Sequence, residues 1–260
     1  MEKQQKHEDP RPLEEELGRL AARAVMEMKM IDDGDRILVA VSGGKDSYVM
    51  LRILQRMERI APVSFELVAF VLEQGQPGFN VERVEKYLQE LDLPYVIHHQ
   101  DTYSVVREKI KPGTTTCSLC SRLRRGILYT QSEKLGCNKI ALGHHRDDLI
   151  HTLLMNMFFT GQLKTMAPKL VSDSGRHMII RPLAYCSEKT IARYARSLSF
   201  EPEQCTFCGT EGSLKRKMVR HLVDDLEAQH HGIMDSIFAS MQHVRPTHLL
   251  DESIKRVTTT

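Results

Sequence analysis

Tryptophan is absent from the 260 residues, and tyrosine and phenylalanine bring the aromatic fraction to only 6%. A core must therefore lean on aliphatic side chains and on thirteen methionines. No apolar run approaches the ~18 residues a membrane-spanning helix needs. The opening MEKQQKHEDPRP lacks the hydrophobic centre of a signal peptide, so the chain is expected in the cytoplasm and away from membranes. Neither sign of charge dominates: 36 basic against 34 acidic residues leave a formal +2, and any grip on nucleic acid must come from local patches. Internal repeats are missing, and low complexity is confined to Thr258-Thr259-Thr260. Transmembrane, secreted disulfide-rich and disordered classes are excluded on these grounds.

What is present is ordinary globular composition, 41% hydrophobic and 27% charged, enough for one large domain with extensions. The first 35 residues hold ten acids and six bases, and Leu17, Leu20, Ala21 and Val25 recur at helical spacing, with Gly34 expected to stop the helix. From residue 36 the pattern changes to buried apolar runs. ILVAV (37–41) reads as a strand covered on both faces, LVAFVL (67–72) as a second buried strand, and further strands are expected from 95–98 and at KIAL (139–142). Between them lie helical stretches at 49–57 and after Asn80, and a nearly all-apolar helix over 148–159. Residues 168–183 read as a hairpin with KLV and MII flanking Asp173-Ser174-Gly175. C-terminal helices follow, broken near Cys205 and Gly232. Alternating strands and helices predict an α/β fold with a doubly wound parallel sheet. The expected division is a helical leader at 1–34, an α/β domain at 35–200 and a helical extension at 201–260.

Ser42-Gly43-Gly44-Lys45-Asp46-Ser47 joins the first strand to a helix and has the makings of an anion site. Glycines permit close backbone approach, and the N–H groups at a helix start point at the charge. Ser42 and Ser47 add hydroxyl donors and Lys45 a point charge, while Asp46 could help hold magnesium or cap the helix. A Walker loop requires Gly-Lys-Ser/Thr, and here Asp46 follows Lys45, so that reading fails. A second polar turn, Gly143-His144-His145-Arg146-Asp147-Asp148, follows KIAL at the edge where open parallel sheets bind ligands. Either Asp147 or Asp148 could coordinate Mg²⁺ or act as a base; Asp148 could equally be a helix cap.

Cysteines stand at 117, 120, 137, 186, 205 and 208. In a reducing compartment they point to metal or redox chemistry. Cys117-Ser-Leu-Cys120 and Cys205-Thr-Phe-Cys208 form two C-x-x-C pairs, open to a Cys₄ zinc site, a persulfide relay or an iron–sulfur cluster. Cys137 and Cys186 read as small buried hydrophobes. The first pair opens into Arg122, Arg124 and Arg125, and residues 105–126 hold six bases against one acid. Such charge suits a site that acts on RNA more than a zinc staple. Lys215, Arg216, Lys217 and Arg220 form a second basic cluster on an expected helix, and with Arg122, Arg124 and Arg125 they are expected to bind RNA as two patches that flank the cysteine site.

SGGKDS resembles the signature of the PP-loop ATP pyrophosphatases, which cleave ATP to AMP and pyrophosphate. Taken in order, SGGKDS, TTCSLCSRLRRGILY, LGHHRDD, RPLAYC and CTFCG resemble the TtcA family of tRNA 2-thiocytidine synthetases over about residues 31–248. No cysteine precedes Cys117, unlike the zinc-finger cysteines of related thiouridine enzymes, which points to the cytidine branch. The resemblance implies an enzyme, a tRNA sulfurtransferase that adenylates the C2 oxygen of an anticodon-loop cytidine at position 32 and replaces it with sulfur. It implies ATP and Mg²⁺, with Ser42, Gly43, Gly44, Lys45, Asp46, Ser47, Gly143 and His144 at the nucleotide and Asp46, Asp147 and Asp148 as the catalytic carboxylates. It further implies a [4Fe–4S] cluster on Cys117, Cys120 and a third ligand, Cys208 with Cys205 in reserve. The implied partners are tRNA, a cysteine desulfurase system as sulfur donor and a second copy of the chain. Two alternatives stay open: a persulfide enzyme with a structural zinc, and a non-catalytic tRNA-binding module.

Overall fold

The computed structural model describes residues 8–109, 117–172, 175–203 and 211–250. Helix α1 (Pro10–Glu27) opens with proline in its first turn, and Asp9 accepts from the Arg11 amide at 3.0 Å. It ends seven residues before Gly34, where the sequence placed the stop. Lys29 adopts a left-handed backbone (φ 48°), the Met30 amide reaches back to the Val25 carbonyl at 2.9 Å, and the Lys29 amide to Met26 at 3.2 Å. This is a Schellman closure with lysine in the place usually held by glycine. It drives Met30 into the core with no exposed surface. Gly34 (φ 79°) serves instead in the turn into the first strand.

The strands are β1 (Asp35–Val41), β2 (Phe65–Glu73), β3 (Tyr95–His99), β4 (Lys139–Ala141), β5 (Lys169–Val171) and β6 (Met178–Ile180). They form one sheet in the order β3-β2-β1-β4-β6-β5, parallel throughout except for the β5–β6 hairpin. The intervening helices are α2 (Lys45–Ile60), α3 (Val81–Glu90), α4 (Tyr103–Lys109), α5 (Cys117–Lys134), α6 (Arg146–Thr160), α7 (Glu188–Ser197), α8 (Glu211–Gln229) and α9 (Ile233–Gln242). Residues 204–210, with Cys205 and Cys208, and residues 173–174 of the expected turn lie outside the described residues.

The two-residue period of β1 explains the double winding. Ile37, Val39 and Val41 face the larger core, under α1, α2, α3 and α7; Leu38 faces the smaller one, with Phe70, Ile140, Ile127 and Leu128 from β2, β4 and α5. Helix α5 was not read from the sequence as a helix, because its basic residues mask a short apolar stripe. The expected all-apolar helix at 148–159 begins at Arg146, and Met157, Phe158 and Phe159 at its end are exposed. Among the described residues no helix is long and apolar enough to cross a membrane.

The chain runs outward from β1 through β2 and β3, then returns to β4 on the other side of β1. The loops after β1 and β4 therefore diverge over the crevice at the carboxyl ends of the strands. Leu17 of α1 has no exposed surface. Leu17→Ala is expected to lower stability by ~2–5 kcal/mol in urea unfolding, whereas the same change at exposed Leu163 should cost less than ~0.5 kcal/mol.

Candidate active site

The phosphate-loop serines hold the β1–α2 turn in shape. Ser47 donates its hydroxyl to the Gly44 carbonyl at 2.9 Å and accepts from the Ser42 amide at 3.1 Å and the Ser42 hydroxyl at 3.2 Å. Gly43 takes a left-handed backbone (φ 78°), and Gly44 at the helix cap offers no side chain to the first amides of α2. Those N–H groups are left for an anion, with the positive end of the helix behind them.

Gly143 sets the second loop directly on the first. A β-carbon there would stand 3.0 Å from the Ser47 amide nitrogen and 3.1 Å from the carbonyl carbon of Asp46. Only glycine allows this approach. The three candidate carboxylates then separate by environment. Asp147 is buried and its Oδ2 accepts from the Glu188 amide at 2.9 Å, so it holds the start of α7. Asp148 Oδ2 accepts from the His145 amide at 3.2 Å and closes the start of α6. Asp46 is paired with Lys45, whose Nζ lies 3.0 Å from Oδ1 and donates to Oδ2 at 3.2 Å, and His145 Nε2 stands 3.7 Å from Oδ1, which itself makes no hydrogen bond.

Lys45 is gripped from two sides, with Glu188 Oε1 at 3.1 Å completing the pair begun by Asp46. Burial disfavours its charge, yet these two carboxylates outweigh burial and hold the ammonium above its ordinary range. Glu188 shows the converse: burial alone would raise its pKa, but Lys45 and Arg220 together hold it ionised below the usual range. Its second oxygen pairs with Arg220 of α8. Glu188 thus joins the phosphate loop to the basic helix, a role the sequence reading did not assign. Its only signal was the cap pattern Ser187-Glu188-Lys189-Thr190.

His144 accepts at Nδ1 from Arg181 Nε at 3.2 Å, which places its own proton on Nε2. Burial, followed by the Arg181 charge, lowers its pKa from 6.5 to about 4, so the ring is neutral near pH 7. Arg216 adds a smaller push in the same direction, which brings α8 near this histidine. Glu203 was also missed. Its amide donates to the Gly43 carbonyl at 2.9 Å, and its carboxylate accepts from the Asn80 amide at 3.1 Å and lies 3.3 Å from Arg83. The segment ahead of the second cysteine pair is thereby fastened onto the phosphate loop.

A cleft of about 280 Å³ opens beside that loop, with Ser42 and Gly44 at its polar end and Phe70, Leu72 and Leu128 on its apolar walls. Arg124 lines the same cleft, and its Nη2 lies 4.0 Å from Cys120 Sγ, one helical turn back on α5. Cys120 is a free, half-buried thiol. Cys137 and Cys186 are buried with their thiols near the Leu135 and Leu17 carbonyls, and burial raises both, Cys186 to about 12. Of the remaining basic residues, Arg122, Arg125 and Lys217 are exposed, and Lys215 lies over the Phe159 ring at 5.1 Å. Cys117 begins α5, and Cys208 lies outside the described residues.

A buried strand, an uncapped glycine turn and a helix start, set at the switch point of a parallel sheet, define an α/β protein of the PP-loop class. The chain matches the PP-loop domain model over residues 14–224. It is 52% identical over 242 residues to a tRNA-cytidine(32) 2-sulfurtransferase of Ralstonia pickettii (strain 12J), covering 93% of this chain and 77% of the relative. A protein of the same description from Polynucleobacter asymbioticus (strain DSM 18221 / CIP 109841 / QLW-P1DMWA-1) is 50% identical over 239 residues, covering 92% and 79%. In fold, the chain resembles the U34-tRNA thiolase NcsA from Methanococcus maripaludis, solved with its [4Fe–4S] cluster. The TM-score is 0.71 at 23% identity, over 94% of this chain and 85% of that one. The chain belongs to the TtcA family of tRNA-cytidine(32) 2-sulfurtransferases within the PP-loop proteins, and is a sulfurtransferase enzyme.

Two outcomes follow from this geometry. Gly143→Ala should cost ~1–3 kcal/mol, because backbone rather than a flexible side chain must give way. Gly126→Ala on α5, where a β-carbon meets nothing within 4 Å, should instead stabilise by up to ~1 kcal/mol. The folded pKa of His144 lies below its unfolded value, so its stabilising contribution is complete above about pH 6.5 and is lost as the pH falls toward 4. Urea midpoints measured from pH 7.5 to 4.5 should show a flatter decline in His144→Gln than in the parent.

Proposed function

We propose that this enzyme thiolates cytidine 32 of tRNA, using ATP to activate the C2 oxygen. The phosphates of ATP lie on the free amides of the Ser42 to Ser47 turn, with Lys45 drawn from its carboxylate partners toward them and Gly143 and His144 closing the second side. The C2 oxygen attacks the α-phosphorus, the bond to the bridging oxygen breaks, and pyrophosphate leaves. The cytidine is then an adenylate, and sulfide attacks C2 as the C–O bond breaks and AMP departs. Neutral His144 offers a donor at Nε2, while Asp147 and Asp148 fix the helix starts that aim this loop.

Asp46, in the first turn of α2, would hold a magnesium ion through its buried Oδ1, which makes no hydrogen bond, once Lys45 has moved from it to the phosphates. The thiols sort in the same way. Cys137 and Cys186 are held protonated by burial and do not fit a metal, whereas half-buried Cys120 beside a guanidinium does. Cys117, Cys120 and Cys208 would hold a [4Fe–4S] cluster, which with three thiolate ligands keeps one iron position for exogenous sulfide. A cysteine desulfurase system supplies that sulfur, and the working enzyme is a cytoplasmic homodimer. Residues 1–34 are its leader, 35–200 its PP-loop domain and 201–260 its helical extension. Arg122 and Arg125 on α5, with Lys215, Arg216 and Lys217 on α8, grip phosphates of an anticodon loop whose target base is splayed out.

The observation that supports this reading most directly is Arg124, which lines the cleft of Ser42 and Gly44 while standing 4.0 Å from Cys120 Sγ. Arg124 thereby links the cleft at the proposed nucleotide loop to a candidate iron ligand. Nucleoside mass spectrometry of tRNA from cells lacking the gene tests it. The parent gene should restore 2-thiocytidine; Cys117→Ser and Cys120→Ser should leave none while still binding tRNA; Lys45→Ala should lower the rate ~10²–10³-fold. Full thiolation by the cysteine variants would reject the cluster, and unchanged 2-thiocytidine in the deleted cells would reject the reaction.

A further inference from the structure

The stretch SRLRRG offers three arginines of one apparent kind, and the fold separates them. Arg122 and Arg125 are exposed on α5, and Arg125 Nε turns back to the Ser121 carbonyl at 3.4 Å. Arg124 is directed inward. It lines the cleft beside the phosphate loop, where among the described lining residues it is the one cation and Glu203 the one anion. Its Nε–H is buried and finds no acceptor among the described residues, and its Nη2 has only the Cys120 sulfur at 4.0 Å, a weak acceptor, among the hydrogen bonds of those residues. A buried donor of this strength calls for a partner that the described residues do not supply. Lys45, the cation of the phosphate loop itself, is already shared between Asp46 and Glu188.

We infer that Arg124 is a nucleotide-binding residue whose guanidinium takes phosphate oxygens of ATP in the cleft, and that it does not belong to the RNA-gripping face with Arg122 and Arg125. A planar fork pairs with two phosphate oxygens at once, which a lysine at the same place cannot reproduce. A nucleotide lying from the apolar walls at Phe70 and Leu72 to the amides at Gly44 must pass this side chain. The same arginine would then stand between the nucleotide and Cys120, so that both reach it from one helix turn. The inference rests on the proposed use of ATP.

The test is titration of full-length protein prepared without iron, using an ATP analogue with a non-cleavable α,β-methylene bridge and, separately, unmodified tRNA. Arg124→Gln is expected to weaken the analogue at least tenfold and to leave the tRNA dissociation constant within twofold. Arg122→Gln should do the reverse, and Arg124→Lys should recover less than half of the lost free energy of nucleotide binding. Thermal unfolding of each variant checks that the comparison is between folded proteins, with Arg122→Gln as the reference on the same helix. If Arg124→Gln binds the analogue as the parent does, or loses tRNA instead, the inference is overturned and the proposed reaction stands. If the parent itself does not bind the analogue, the ATP-dependent reaction fails, and the inference with it.

Discussion

The contact of Gly143 with the backbone at Ser47 is the constraint on which the rest of the site depends. Two loops that leave the sheet on either side of its switch point meet there so closely that any side chain at Gly143 would have to push the backbone of Asp46 and Ser47 aside. From that contact follow the positions of His144, Asp147 and Asp148. Through Asp147 it reaches the first residue of α7, and through Glu188 it reaches Lys45 and the basic helix α8. A single close approach thus puts the amides at the start of α2, carboxylates and a cationic helix around one crevice.

Charge in this crevice is balanced rather than accumulated. Lys45 is held charged by Asp46 and Glu188, and Glu188 is held ionised in turn by Lys45 and Arg220. A polyphosphate entering such a network exchanges one set of anionic partners for another. Specific ions are therefore preferred without a strong net field over the molecule, in keeping with the near-zero formal charge. The half-buried, neutral His144 beside Arg181 adds a donor that does not compete for this charge.

Much of the fold was legible because it rests on patterns several residues long. The run ILVAV followed by a double glycine and a helical period gives strand, turn and helix together, and KIAL before GHHRDD does so again. The exit from α1 was not legible, since Lys29 takes a left-handed backbone that composition assigns to glycine, and the closure depends on burying Met30. Helix α5 was hidden because its arginines obscure the stripe that packs Ile127 and Leu128. Single residues fared worst. Glu188 and Glu203 reach the site from segments with no motif of their own, and Arg181, though it opens RPLAYC, carries no sign there that it pairs with His144; only the tertiary fold brings them together. In the other direction, the sequence could not separate Asp46, Asp147 and Asp148, whereas their hydrogen bonds do.

The measurement that bears most directly on this account is an anaerobic crystal structure of the iron-loaded enzyme with a non-cleavable ATP analogue. The account predicts phosphates seated on the amides between Ser42 and Ser47, and an iron centre on Cys117 and Cys120 that opens into the same cleft with one coordination position free of protein sulfur. A nucleotide bound away from that turn, or a metal enclosed by four cysteine sulfurs, would contradict it.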